Sequence, residues 1–288
     1  MKIVKIVVAL TLCAMLGGIC FYILYNNRVE ATAAVDEDSV KLPVIMYHNI
    51  SEKSRLWGQY TVSPQVVEED IKYLLNNGYK TVSCEEVLNY LNGQGELPEK
   101  PVMLTVDDGF ESFYAYMYPL LKRYGCKAVI SPMGECIDAF SANEDHNLDY
   151  SYLTWEELKE MNDTDLVEIG NHTYNLHSDK KGRVGCGRKK GESDEKYREI
   201  LEEDIGKMQK EIKQYTGKDC FIFTYPYGKI SEGSKEVLED MGFKVIFTCN
   251  GKVNQLNKEN QKSITLGRFN RPSGKSSWDF FSKALKSN

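Results

Sequence analysis

The sequence predicts an α/β fold, a barrel of parallel strands with alternating helices behind an N-terminal apolar segment. Three observations point to it. Short apolar runs alternate with helix-patterned segments from residue 42 onward, which implies a parallel sheet. About eight such runs in roughly 240 residues favour closure into a (β/α) barrel over an open sheet. Several runs stop abruptly at polar residues or Gly, as strands do when they break into loops. In parallel folds that C-terminal edge is where ligands and catalytic groups sit.

Ile6–Tyr25 contains no charged residue and has the length a helix needs to cross a bilayer. Lys2 and Lys5 precede it and hold residues 1–5 in the cytoplasm, which leaves the remainder outside the cell. Ala31-Thr32-Ala33 resembles a signal-peptidase site. The apolar run is longer than a usual signal core, however, and Asn26-Asn27-Arg28 intervenes, so an uncleaved, single-pass signal-anchor is favoured. Residues 26–41 read as a tether and 42–288 as one catalytic domain.

Leu42–Tyr47 is an apolar strand ending at His48-Asn49. Ser63-Pro64 gives the N-cap and first position of a helix that runs to Asn77, with Gly78 after it. Lys80–Ser83 reads as a strand and Glu85–Leu91 as a short helix. Pro101–Asp108 is a buried strand, followed by a helix over Glu111–Tyr124 closed by Gly125, and then a strand at Lys127–Pro132. Cys136–Tyr152 reads as an irregular polar loop. Thr154-Trp155-Glu156-Glu157 is a capping box opening a helix to Asn162. A strand at Leu166–Gly170 leads into Asn171–Ser178. Lys180, Lys181, Arg183, Arg188, Lys189 and Lys190, interspersed with glycines, read as a solvated basic loop. Asp194–Tyr215 is an amphipathic helix whose stripe of Tyr197, Leu201, Ile205, Met208, Ile212 and Tyr215 is read as core. Strands follow at Phe221–Tyr225, Lys244–Cys249 and Ser263–Phe269, with a helix at Ser234–Met241.

The net charge is −6. Without Lys2 and Lys5 the part beyond residue 25 carries 34 basic and 42 acidic residues, a net −8. That excludes a nucleic-acid partner, which needs a basic face. The expected assembly is a monomer. Eight cysteines are scattered, two of them (Cys13, Cys20) in the apolar segment, with no zinc-finger spacing. Cys84, Cys126 and Cys249 lie in or beside apolar stretches and are expected in the core.

Two segments carry chemistry. In LTVDDGF (104–110) a buried strand ends in Asp107 and Asp108. Such neighbours repel unless a cation or proton lies between them. Side chains alternate along a strand, so the two carboxylates serve different jobs. In GNHTYNLH (170–177), His172 and His177 stand five apart, about 140° on a helix, so they converge only on a loop. Two imidazoles and Asp108 make a three-ligand metal site with positions left open. The chain has only four histidines, and two fall in this one loop.

TVDDG, HTYNLH and YPYG, in that order and on strand ends, resemble the polysaccharide deacetylases (carbohydrate esterase family 4) over about Leu42–Phe269. The resemblance implies a distorted (β/α) barrel and a divalent metal, usually zinc, on Asp108, His172 and His177. It implies Asp107 as general base and the Tyr227 N–H, after Pro226, as a donor to the oxyanion. It also implies a His as general acid. No His follows His177, so the chain is similar to the subgroup with a permuted motif. There the acid lies on the first strand, at His48 in MYHNI; His146 is the other candidate. The first and last strands of a closed barrel are neighbours, which suits His48. The family often has Arg at the position of Thr224, and Arg268 on the last strand is expected to supply that charge to Asp107. The resemblance implies an N-deacetylase of an acetylated amino-sugar polysaccharide, peptidoglycan or poly-N-acetylglucosamine. The rivals are a non-catalytic carbohydrate-binding protein on the same fold and a non-haem iron enzyme, since two His and a carboxylate also suit ferrous iron.

Overall fold

The computed structural model describes residues 39–143, 145–180, 182–258 and 261–286. The expected anchor at 6–25, residues 1–5 and most of the tether lie outside the described residues, as do Cys13 and Cys20. Among the described residues no helix is long and apolar enough to cross a membrane. The compact unit begins at Val40, two residues before the expected boundary.

The barrel strands are β1 (Val44–Tyr47), β2 (Pro101–Asp108), β3 (Ala128–Pro132), β4 (Val167–Ile169), β5 (Ile222–Thr224), β6 (Val245–Phe247), β7 (Ile264–Leu266) and β8 (Phe269–Asn270). β1, β2, β3 and β4 are parallel neighbours in chain order. β5, β6 and β7 form a second parallel set. β8 closes the ring by pairing parallel with β1. The two sets meet at one point, a parallel bridge between Asn171 and Phe223. There the Asn171 N–H donates to the Ile222 carbonyl and the Thr224 N–H donates to the Asn171 carbonyl. Thin pairing at this seam, and the break at Gly267-Arg268 between β7 and β8, are what distort the barrel.

β2 is buried along all but its last residue, as expected of a central parallel strand. The expected strand Leu42–Tyr47 is two strands, because Pro43 interrupts it. Val40–Leu42 pairs antiparallel with Asn254–Leu256, an element the sequence did not announce.

The helices are α1 (Pro64–Asn76), α2 (Cys84–Leu91), α3 (Tyr118–Tyr124), α4 (Gly134–Ser141), α5 (Trp155–Asn162), α6 (Asp194–Thr216), α7 (Ser234–Asp240) and α8 (Ser277–Ala284). Ser63 caps α1 through Val66 N–H, and capping boxes open α2 and α5. The expected helix Glu111–Tyr124 is instead a π turn over Phe113–Met117 followed by α3, whose second residue is Pro119. A proline there withholds an N–H and favours such a local rewinding. The expected loop Cys136–Tyr152 begins as α4, because Gly134 and Ile137 turn one face onto the core.

The α6 stripe is buried from Tyr197 to Ile212. Tyr215 is not core: it is 39% exposed and stacks on Trp155 with ring centroids 4.5 Å apart. The basic loop is not simply solvated either. Arg183 pairs with Glu192 at 2.5 Å, both largely buried, while Arg188 pairs with Asp194 and lies over the Tyr197 ring. Lys181 lies outside the described residues. The six described cysteines are unpaired thiols. Cys84 and Cys126 are buried as expected, but Cys249 is exposed, because the chain turns outward after β6.

Candidate active site

The C-terminal edge of the barrel opens into a cavity of about 510 Å3 lined by His48, Asp107, Asp108, His172, His177 and Tyr227. Tyr60, Phe110 and Cys249 also line it, with Asn49, Gln59, Thr61 and Asn270. Parallel register brings the groups together. Tyr47 of β1 lies beside Val106 of β2, so His48 stands level with Asp107. Asp107 and Asp108 lie beside Ser131 and Pro132 of β3, and the His172 N–H donates to the Pro132 carbonyl.

Alternation splits the two carboxylates as expected. Asp107 turns into the barrel and receives a bidentate pair from Arg268, Nη1 to Oδ1 at 2.6 Å and Nη2 to Oδ2 at 2.7 Å. Arg268 is held in turn by its Nε donating to the Thr248 carbonyl and its Nη1 to Thr105 Oγ1. It sits in the short link between β7 and β8 rather than within a strand. Burial pushes the Asp107 carboxyl up, but the Arg268 guanidinium outweighs it and holds the group at about 2. Thr224 cannot take Arg268's place. Its hydroxyl pairs with Ser131 Oγ at 2.8 Å, and its carbonyl accepts from His172 Nδ1.

Asp108 turns the other way, toward the imidazoles. Its Oδ1 lies 3.5 Å from His172 Nε2 and 3.4 Å from His177 Nε2, is buried, and closes no hydrogen bond. Donors around a tetrahedral ion with bonds of about 2.1 Å stand about 3.4 Å apart, so these separations match two edges of such a site. All three ligand atoms lie within 4.8 Å of one another, the single such cluster of His, Cys, Asp and Glu among the described residues. The tautomer also fits. His172 Nδ1 faces a carbonyl, to which it can only donate, at 2.8 Å, leaving the Nε2 lone pair aimed inward. The donor set therefore fits a divalent cation. Burial lowers the Asp108 carboxyl's acidity, and the imidazoles reverse this, so its pKa falls below the ordinary value. At His177, burial and the neighbouring His172 depress the pKa and favour the neutral, ligating ring.

His48 is largely enclosed, its ring edge-on to Tyr60 at 4.7 Å, and its Nδ1 is buried without a partner. Burial lowers its pKa against the pull of Asp107 and Asp108. His146 is elsewhere: it is exposed, bonds Glu111 at 2.7 Å, and is not among the cavity-lining residues. Tyr227 lines the mouth, its ring 4.5 Å from that of His177.

The backbone marks the same place. Asp108, Thr173 and Tyr227 have φ of 69°, 74° and 57°, and they are the non-glycine residues with positive φ among those described. Each such residue costs of order 1–3 kcal/mol and persists only where its surroundings over-determine it. Gly109 is required by the same turn. At φ 83° a Cβ there would stand 2.6 Å from that of Pro132.

Asn171 was not singled out in the sequence. It is fully buried, bridges β4 to β5, and accepts the Thr173 N–H on its Oδ1. The signal available was a polar residue placed directly between a strand and His172.

Comparison with known proteins gives concordant results. The polysaccharide deacetylase family model matches residues 94–246, more than half of the chain. A poly-β-1,6-N-acetyl-D-glucosamine N-deacetylase of Escherichia coli is 28% identical over 71% of this chain and 33% of its own length. The Staphylococcus aureus protein of the same name is 30% identical over 67% of this chain and 62% of its own. The aligned part thus spans about a third of the first relative and less than two thirds of the second. Among solved structures, a de-N-acetylase from Aggregatibacter actinomycetemcomitans superposes with a TM-score of 0.67 at 26% identity, covering 80% of this chain and 94% of that one. The chain belongs to the polysaccharide deacetylase family.

Proposed function

We propose that this chain removes N-acetyl groups from an amino-sugar polymer by metal-dependent hydrolysis, with zinc as the resident cation. The carrying observation is that His48, Asp107 and the Asp108/His172/His177 cluster share one cavity. Poly-N-acetylglucosamine is the first substrate to test, because relatives in two organisms bear that name; acetylated peptidoglycan is the second.

A cation held by Asp108, His172 and His177 would polarise the acetyl carbonyl and lower the pKa of a water. Asp107, kept ionised and fixed in orientation by Arg268, accepts the attacking water's proton. Its low pKa makes it a weak base, so its contribution rests on placement more than on basicity. The Tyr227 N–H donates to the carbonyl oxygen as negative charge builds there. His48, just past the neighbouring strand β1, gives its proton to the departing amine when it is in its imidazolium form, which Asp107 and Asp108 favour against burial. Tyr60 and Phe110 offer aromatic faces at the mouth for a sugar ring.

We further propose that the domain works outside the cell, tethered by residues 6–25, a reading supported by the uncharged run and the two lysines before it.

The test is acetate release from poly-N-acetylglucosamine and from cell-wall sugars, together with metal analysis. Wild type releases acetate and carries one zinc per chain. Asp107→Asn keeps the metal and loses about 10²–10⁴-fold in rate, whereas His172→Ala loses both. A wild type that binds either sugar without releasing acetate would favour the non-catalytic rival, and iron in place of zinc would favour the other.

A further inference from the structure

The histidine loop rests against helix α6, and Asp204 flanks that helix's core-facing stripe, three residues after Leu201 and four before Met208. An acid in the middle of a helix gains nothing from propensity or from capping. Asp204 is half-buried, and its carboxylate is spent on the backbone between the two ligand histidines. Oδ1 accepts the Tyr174 N–H at 2.8 Å and Oδ2 accepts the Asn175 N–H at 2.9 Å. Lys207, the nearby cation, sits over the Tyr174 ring instead, 3.3 Å from its centroid.

The same turn of helix makes a third bond, as the Ile205 carbonyl accepts from Asn171 Nδ2 at 2.9 Å. On the opposite side Gly134 and Glu135 donate their N–H groups to the Thr173 and Tyr174 carbonyls. Thr173, between these grips, is the β-branched residue held at φ 74°. Left-handed backbone at a threonine relaxes unless something holds it. Released, the turn would rotate His172 and His177 relative to each other.

We propose that Asp204 is a positioning residue: it clamps two successive peptide N–H groups of the turn and so fixes the mutual orientation of His172 and His177. The inference rests on the metal reading above. Groups that orient ligands are worth about 10–100-fold in metal affinity, and charge-assisted bonds of this kind are stronger than neutral ones.

The test measures Zn²⁺ affinity of the full chain by competition with a chromophoric chelator, for wild type, Asp204→Asn, Asp204→Ala and, as a control on the exposed face of α6, Glu203→Gln. Melting in EDTA and the visible spectrum of the Co²⁺-loaded proteins accompany it. Wild type and Glu203→Gln should bind alike. Both Asp204 variants should bind about 10–100-fold more weakly, with an altered Co²⁺ spectrum and a metal-free melting temperature near that of wild type. Asn keeps the shape but can accept only one of the two N–H groups, so it should lose less than Ala. Asp204 variants that bind Zn²⁺ as wild type does would overturn the proposal, as would a loss of affinity fully matched by unfolding in EDTA. A wild type with no Zn²⁺ affinity would instead overturn the metal reading and this inference with it.

Discussion

Asp107 and Asp108 are adjacent in the chain and face opposite partners, a guanidinium and two imidazoles. The pair is legible in the sequence because strand alternation dictates it, and so are the two histidines, because a five-residue spacing suits only a loop. Arg268→Ala follows from the same geometry. The base proposed here, Asp107, has to be ionised to act, and Arg268 holds its pKa at about 2 against burial. With the guanidinium gone, burial is left in charge and the pKa rises. The acidic limb of kcat/KM should therefore move to higher pH; an unmoved limb would separate Arg268 from the base. The depressed pKa also sets a stability window. Relative to its ordinary value of 3.8, Asp107 contributes stability that is full above about pH 4 and is lost as pH falls toward 2. His48→Gln should keep the metal and lose about 10²–10⁴-fold in rate, measured as acetate release with metal content in parallel.

At the scale of elements, Ser63 and Thr154 each begin the helix they announce, whereas Ser83, expected at the end of a strand, instead caps α2 through a capping box. What was missed depends on tertiary contact. The helix α4 owes its form to packing, and the C-terminal α8 follows a segment whose anchor is a buried pair that no local pattern shows. That pair joins Arg271, just past β8, to Asp70 of α1 at 2.7 and 3.0 Å, with Tyr47 of β1 donating to the same carboxylate at 2.8 Å. Both charges are fully enclosed. Removing one leaves the other buried and unpaired, so Arg271→Ala should cost about 3–5 kcal/mol in urea unfolding. A loss below about 1 kcal/mol would mean that water reaches Asp70 in the folded state.

At the scale of the whole molecule, closure is what makes the site. β8 lies against β1, so Arg268 bonds Asp107 at the edge of the cavity that His48, 220 residues earlier in sequence, also lines. Closure was legible from strand number and alternation. The distortion was not, since the seam at Asn171 and the break at Gly267-Arg268 are made by side-chain and turn geometry. The segment before the domain gives a separate expectation. A chain lacking residues 1–25 should leave the membrane fraction for the soluble one while keeping acetate release in vitro, as checked by fractionation and assay.

The most direct test of the central claim is an anomalous difference map from crystals grown with Zn²⁺. A single peak should lie about 2.0–2.2 Å from Asp108 and from the Nε2 atoms of His172 and His177, in the cavity shared with His48 and Asp107. An empty cluster, or a peak bound elsewhere, would contradict it.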